Sequence, residues 1–171
     1  EQSTAQILEA RNGNGGKIEP GLIILVEILK RLDKDRYHWP IGRTSFQKLA
    51  YFATIMGLNT GVSFIRSSYG PFANDLKAKL TKLLNNGLVV EKQMGKMFMY
   101  KVGKTFEDAR ELYLDEINKN TETIEKLVDL FARMNTAQAE YAATVHFARE
   151  TMKLKQGQKP SEEDVVNEVM E

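Results

Sequence analysis

From Gly21 to about Lys34 the apolar residues Leu22, Ile23, Leu25, Val26, Ile28, Leu29 and Leu32 cover more than half the circumference of a helix. A helix that is apolar on most of its sides cannot lie on a surface, so this segment is expected at the centre, with the remainder of the chain supplying its cover. A length of 171 residues, 42% hydrophobic and 27% charged, provides material for one core and not for two ordinary ones. The longest uninterrupted apolar run, Leu22 to Val26, falls far short of the roughly 20 residues that a bilayer span requires. No charged stretch followed by an apolar one opens the chain as a secretory signal would. The absence of cysteine excludes disulfides and thiolate metal sites and fits a reducing compartment, so the expected location is the cytoplasm. All seven methionines are internal and the chain opens on Glu1, which implies a piece of a longer protein.

The elements around the central helix follow from periodicity and punctuation. Residues 1–20, ending in a Gly/Asn run and Pro20, read as a flexible linker or chain end. Between Arg43 and Met56 the residues Phe46, Leu49, Ala50, Ala53 and Met56 recur at helical spacing, with Thr44 as a cap and Gly57 as a stop. Gly70-Pro71 precedes Phe72, Leu76, Leu80, Leu83 and Leu84, which predicts a third helix entered through the proline and closed near Asn86-Gly87. Leu88 to Gln93 and Lys96 to Val102 read as two strands joined at Met94-Gly95. Three helices and a hairpin make a winged-helix-like core over 21–104. Helical periodicity then resumes in 105–171, with a break expected near Asn118 to Asn120, an antiparallel pair of helices reaching Leu154, and an acidic helix from Glu162 onward. The expected class is mainly α, with these C-terminal helices appended as a bundle packed on the core.

The net charge of +1 conceals two opposed halves. From Phe64 to Lys104 eight basic residues stand against two carboxylates, a net +6; from Thr105 to Glu171 fifteen carboxylates stand against eight basic residues, a net −7. The basic half invites a DNA-binding reading, with Lys77, Lys79, Lys82, Lys96, Lys101 and Lys104 along a helix and wing. That helix holds no arginine, and Asn74 is its one base-reading candidate. Catalytic and metal-binding sets are missing from the pattern. The two histidines, His38 and His146, lie over a hundred residues apart, and Ser67-Ser68 has neither a nucleophile elbow nor an adjacent base. The carboxylates Glu107, Asp108, Glu111, Asp115 and Glu116 read first as a solvated helix face and second as a docking surface. Met94, Met97 and Met99 around the hairpin turn read as one buried face or as an adaptable contact surface.

The stretch Gly42-Arg43-Thr44-Ser45-Phe46-Gln47-Lys48-Leu49-Ala50-Tyr51-Phe52-Ala53, followed by Gly61, Phe64 and Ser68-Tyr69-Gly70-Pro71-Phe72-Ala73, resembles the C-terminal region of DarG-type antitoxins. A similar Gln-Lys-Leu and Tyr-Gly-Pro pattern occurs in antitoxin domains of the Panacea type. The resemblance covers about Gly21 to Gly103 and extends more loosely over the acidic helices. It implies a domain that binds and blocks a DarT-type toxin, an enzyme that attaches ADP-ribose to single-stranded DNA. No macrodomain pattern is present, so the glycohydrolase activity of such antitoxins is not carried onto this chain. Arg43 and Gln47, one helical turn apart, are expected to face the loop before Tyr69 and bond either to it or to a partner. Under this resemblance the partner-binding residues are Arg66, Tyr69 and Phe72 with the acidic Glu107, Asp108, Glu111 and Asp115, which would mimic DNA in a basic cleft. No catalytic residue, metal ligand, cofactor or small-molecule substrate is expected, and the alternative function is a winged-helix DNA-binding regulatory module.

Overall fold

The computed structural model describes residues 18–34, 39–67 and 70–156. The acidic helix expected from Glu162, residues 1–17 of the linker expected over 1–20, His38 and Tyr69 lie outside the described residues; the end of that linker is instead structured, with Ile18 buried, Glu19 paired with Lys79 and Pro20 opening a helix. Within them the chain is mainly helical, with seven helices and two antiparallel strand pairs, and no helix is long and apolar enough to cross a membrane.

Helix α1 (Pro20–Asp33) begins with proline in its first turn, where the missing N–H costs nothing. It is enclosed by the rest of the chain: Leu22, Ile23, Ile24, Leu25, Val26, Ile28, Leu29 and Leu32 are all buried. Each such side chain contributes about 1.5–3 kcal/mol relative to exposure. Helix α2 (Arg43–Ile55) starts after Gly42 with no side-chain cap, so Thr44 sits inside the first turn and does not cap it. The buried face of α2 carries Phe46, Leu49, Ala50 and Ala53.

The third helix departs from expectation at its start. Gly70-Pro71-Phe72 is not a helical entry but a strand, β2 (Gly70–Phe72), paired antiparallel with β1 (Ile65–Ser67). Gly70 adopts φ +95°, outside the helical region, so the proline rule for a first helical turn does not apply. Helix α3 (Leu76–Asn85) begins four residues later and leaves Asn74 outside it. Strands β3 (Val89–Met94) and β4 (Met97–Val102) form the expected hairpin, in register from Val89 opposite Val102 to Met94 opposite Met97. Tyr100 N–H donates to the Ile41 carbonyl at 2.8 Å, which ties the segment before α2 to the free edge of β4.

The expected helix after Gly103 is broken twice, into α4 (Phe106–Leu112), α5 (Leu114–Lys119) and α6 (Thr121–Arg133). The first break falls at Tyr113, whose hydroxyl donates to the Ile18 carbonyl at 2.9 Å. The second falls at Asn120, as the sequence implies. Helix α7 (Thr136–Gln156) opens with a reciprocal cap, in which Gln138 N–H donates to Asn135 Oδ1 and Asn135 N–H to Gln138 Oε1. The main contacts of α6 are with α1 and α2, and those of α7 with α2 and β2. The small residues of α7, Ala139 and Ala143, are buried, and the expected pairing of α7 with α6 is not among its main contacts.

Gly70 marks the seam between β2 and α7. A Cβ at this position would meet the Thr144 hydroxyl, in addition to the cost of positive φ. Gly57 shares a positive φ (+97°) but has open space around it. We therefore expect Gly70→Val to destabilise the protein by about 1–3 kcal/mol from backbone strain and, through the clash with Thr144, to lower the melting midpoint more than Gly57→Val. Equal midpoints for the two variants would show that α7 does not close on the hairpin.

Candidate functional site

Two separate regions hold the residues singled out by sequence. The first is the acidic face of α4 and α5. Phe106 and Ala109 turn one side of α4 into the core, and Arg110 reaches inward to the buried Glu27 of α1, its Nε to Oε2 at 2.9 Å and its Nη2 to Oε1 at 3.3 Å. Arg31 donates to the same carboxylate at 3.1 Å. With α4 oriented in this way, Glu107, Asp108 and Glu111 lie on its exposed side, and Asp115 is exposed on α5. Glu107 is not available as a bare charge: Lys30 Nζ lies 2.6 Å from it and holds its carboxyl below the usual range. Leu112 and Leu114, flanking the break at Tyr113, are 59% and 38% exposed among these carboxylates. The helical periodicity counts Leu112 among the apolar positions with Phe106, Ala109, Tyr113 and Ile117, and the break at Tyr113 leaves it exposed.

The second region is built by the motif itself. Gln47 on α2 donates through Nε2 to the Ala73 carbonyl at 3.2 Å and accepts from Ala73 N–H at 3.1 Å, an amide-to-backbone clamp across 26 residues. Lys48, only 2% exposed, donates from Nζ to the Pro71 carbonyl at 3.0 Å, and burial pushes its ammonium pKa down. The two polar residues of the motif therefore hold the chain just after Gly70. Arg43 turns the other way, bonding Glu91 on β3 at 3.1 Å and lying over the Phe98 ring at 5.2 Å. Of the residues expected to bind a partner here, Arg66 on β1 is exposed and Phe72 on β2 is 36% exposed. They lie on a hairpin that packs against α2 and α7, whereas α4 and α5 pack against α1. The structure thus keeps the two expected groups of partner-binding residues on different elements.

The basic track is partly spent within the chain. Lys79 pairs with Glu19 at 2.6 Å and Lys101 with Asp33 at 3.5 Å. At the wing, Met99 and Tyr100 are buried, while Met94, Met97 and Phe98 are 56%, 63% and 41% exposed. Burial therefore divides the hairpin by distance from the core and not by face, and its tip is an exposed apolar surface. His146 on α7 bonds Tyr51 of α2, hydroxyl to Nδ1 at 2.7 Å. Burial raises the Tyr51 pKa and lowers that of His146, so the bond joins a neutral phenol to a neutral imidazole. Among the described residues no group of three or more His, Asp or Glu is placed to hold a metal ion.

No protein-family model matches the chain, and no curated protein matches it.

Two predictions test the structural roles assigned above. Replacing Gln47 with leucine leaves the N–H of the buried Ala73 without a partner and its carbonyl with the Leu76 N–H alone, and is expected to cost about 1–3 kcal/mol in denaturant unfolding; an unchanged midpoint would remove the clamp. The His146 pKa is lower in the folded chain than the ordinary 6.5, so the unfolded chain takes up this proton first. The resulting stability is present above pH 6.5 and is lost as the pH falls from there through the folded-state value. The melting midpoint should drop between pH 7 and pH 5, and His146→Gln should remove part of that slope.

Proposed function

We propose that this chain is the toxin-binding domain of a DarG-type antitoxin, built on a winged-helix-like core. It neutralises a DarT-type DNA ADP-ribosyltransferase by laying the acidic face of α4 and α5 in the toxin's single-stranded DNA site. The observation that carries this reading is the clamp of Gln47 and Lys48 on Ala73 and Pro71. The two separated stretches on which the family resemblance rests meet here as one device, which supports reading them together.

The mechanism follows from what a single-stranded DNA site must offer. Such sites combine cationic groups for phosphates with apolar or aromatic platforms on which bases stack. The α4–α5 face presents exposed carboxylates at Asp108, Glu111 and Asp115, with the exposed Leu112 and Leu114 between them. Carboxylates meet the cations and leucines cover the platforms. A DNA-binding regulatory module is the weaker reading, since two of its six lysines, Lys79 and Lys101, are already paired with carboxylates of the same chain.

Calorimetry against a DarT-type toxin tests the proposal. The double change Glu111→Lys and Asp115→Lys spares the Lys30–Glu107 pair and should weaken toxin binding by about tenfold or more, equivalent to about 1.4 kcal/mol. The residual affinity should be less sensitive to salt. Reversal of Lys77 and Lys82 to glutamate should change toxin binding little. If the lysine variant alone loses affinity, and only for DNA, the antitoxin reading is wrong.

A further inference from the structure

Helices α2 and α3 do not close against each other. α3 leans on β3, and between the two helices lies a groove of about 500 Å³, within the range of sites that accept a ligand or a row of partner side chains. On α3, Leu76, Leu80 and Leu84 recur every fourth residue and form one apolar wall, with Phe46 and Phe72 among the residues that line the groove across from them. Leu76 is buried in the core, Leu80 and Leu84 pack against it half-buried and Phe72 is exposed, so the outer part of this wall remains open. Of the charged lining residues Arg43 and Glu91 engage each other and Lys48 is buried on the Pro71 carbonyl, which leaves the exposed Lys77 as the charge that faces an occupant.

We propose that this groove is a docking site for an acidic amphipathic helix of a partner protein. The helix lays its apolar stripe along Leu80, Leu84 and Phe72 and turns its carboxylates toward Lys77. The recognition mode is a helix in a groove, in which anchors at positions such as i, i+4 and i+7 meet the wall and flanking charges set the orientation. Charge complementarity names the occupant, because an apolar floor with a cationic lip rejects a basic helix and favours an acidic one. A nucleic acid would need a continuous run of cations beside the apolar surface, and among the lining residues Lys77 is the one exposed cation not already engaged. The site shares no residue with the acidic face of α4 and α5 and does not depend on the toxin reading.

Fluorescence anisotropy with the full chain provides the test. The probe is a labelled 15-residue helix-forming peptide with leucines at i, i+4, i+7 and i+11 and glutamates on its other faces; its twin has lysine for every glutamate. The acidic peptide should bind and its twin should bind at least tenfold more weakly. Thr81 is exposed on the lip, so Thr81→Trp plugs the groove without disturbing the core and should abolish binding with an unchanged melting midpoint. Lys77→Glu should reverse the preference between the two peptides, and Glu111→Lys with Asp115→Lys should leave both affinities as they were. The proposal is overturned if the twins bind equally, if neither binds at millimolar concentration, or if binding survives Thr81→Trp. It is likewise overturned if a twelve-residue oligothymidine displaces the peptide, or if sedimentation shows self-association of the chain that Thr81→Trp removes, which would make a second copy the occupant.

Discussion

The arrangement of this protein depends on a carboxylate that has no route to water. Because α1 is covered along most of its surface, Glu27 is buried with it, at 2% exposure. A buried carboxylate costs several kcal/mol in lost hydration unless it is paired and its lone pairs are filled. Arg31 from the same helix supplies one donor and Arg110 from α4 supplies two. Arg110 therefore has to face α1, and that requirement sets the rotation of α4 about its own axis. The exposed positions of Glu107, Asp108 and Glu111 follow from it, because they occupy the sides of the helix that Phe106, Ala109 and Arg110 leave free. The acidic surface is in this sense the outer face of a buried ion pair.

A second set of polar contacts governs the other half of the molecule. Gln47 and Lys48 hold the backbone after Gly70, the φ of Gly70 turns the β1–β2 hairpin, and the missing side chain of Gly70 lets Thr144 of α7 approach. The Tyr51 to His146 bond and the Ser45 to Thr136 bond at 3.0 Å then fasten α7 along α2. With α2 engaged by the hairpin, α6 and α7, it is not closed against α3, and the groove is the space that remains. The groove and the acidic face thus arise from different constraints, and neither requires the other for its shape.

Folding also redistributes the charge that the linear sequence divides into two halves. Glu19, Asp33 and Glu91 take up Lys79, Lys101 and Arg43 from elsewhere in the chain, and Lys30 takes up Glu107. Exposed pairs of this kind contribute little to stability, commonly no more than about 1 kcal/mol each. Their importance is in deciding which charges a partner meets. The +6 and −7 counts overstate what each surface presents, and the acidic face retains Glu111 and Asp115 beside two exposed leucines.

What the sequence determined by itself was the set of elements whose signal is local and strong. The apolar girth of α1, the stripe of α2, the β3–β4 hairpin around Gly95 and the break at Asn120 were legible because periodicity and turn chemistry act within a few residues. Gln47 was expected to face the loop before Tyr69, and it bonds instead to Ala73, beyond β2. The tertiary structure alone decided that Gly70-Pro71-Phe72 is a strand, that Tyr113 breaks a helix by bonding to Ile18, and that α6 and α7 each turn to other neighbours. It alone decided which carboxylates are exposed bare and that a groove remains between α2 and α3. In each case the deciding partner lies tens of residues away, from 23 between Lys48 and Pro71 to 95 between Tyr113 and Ile18. A local pattern states which groups need a partner, and only the packing of distant elements states which groups receive one.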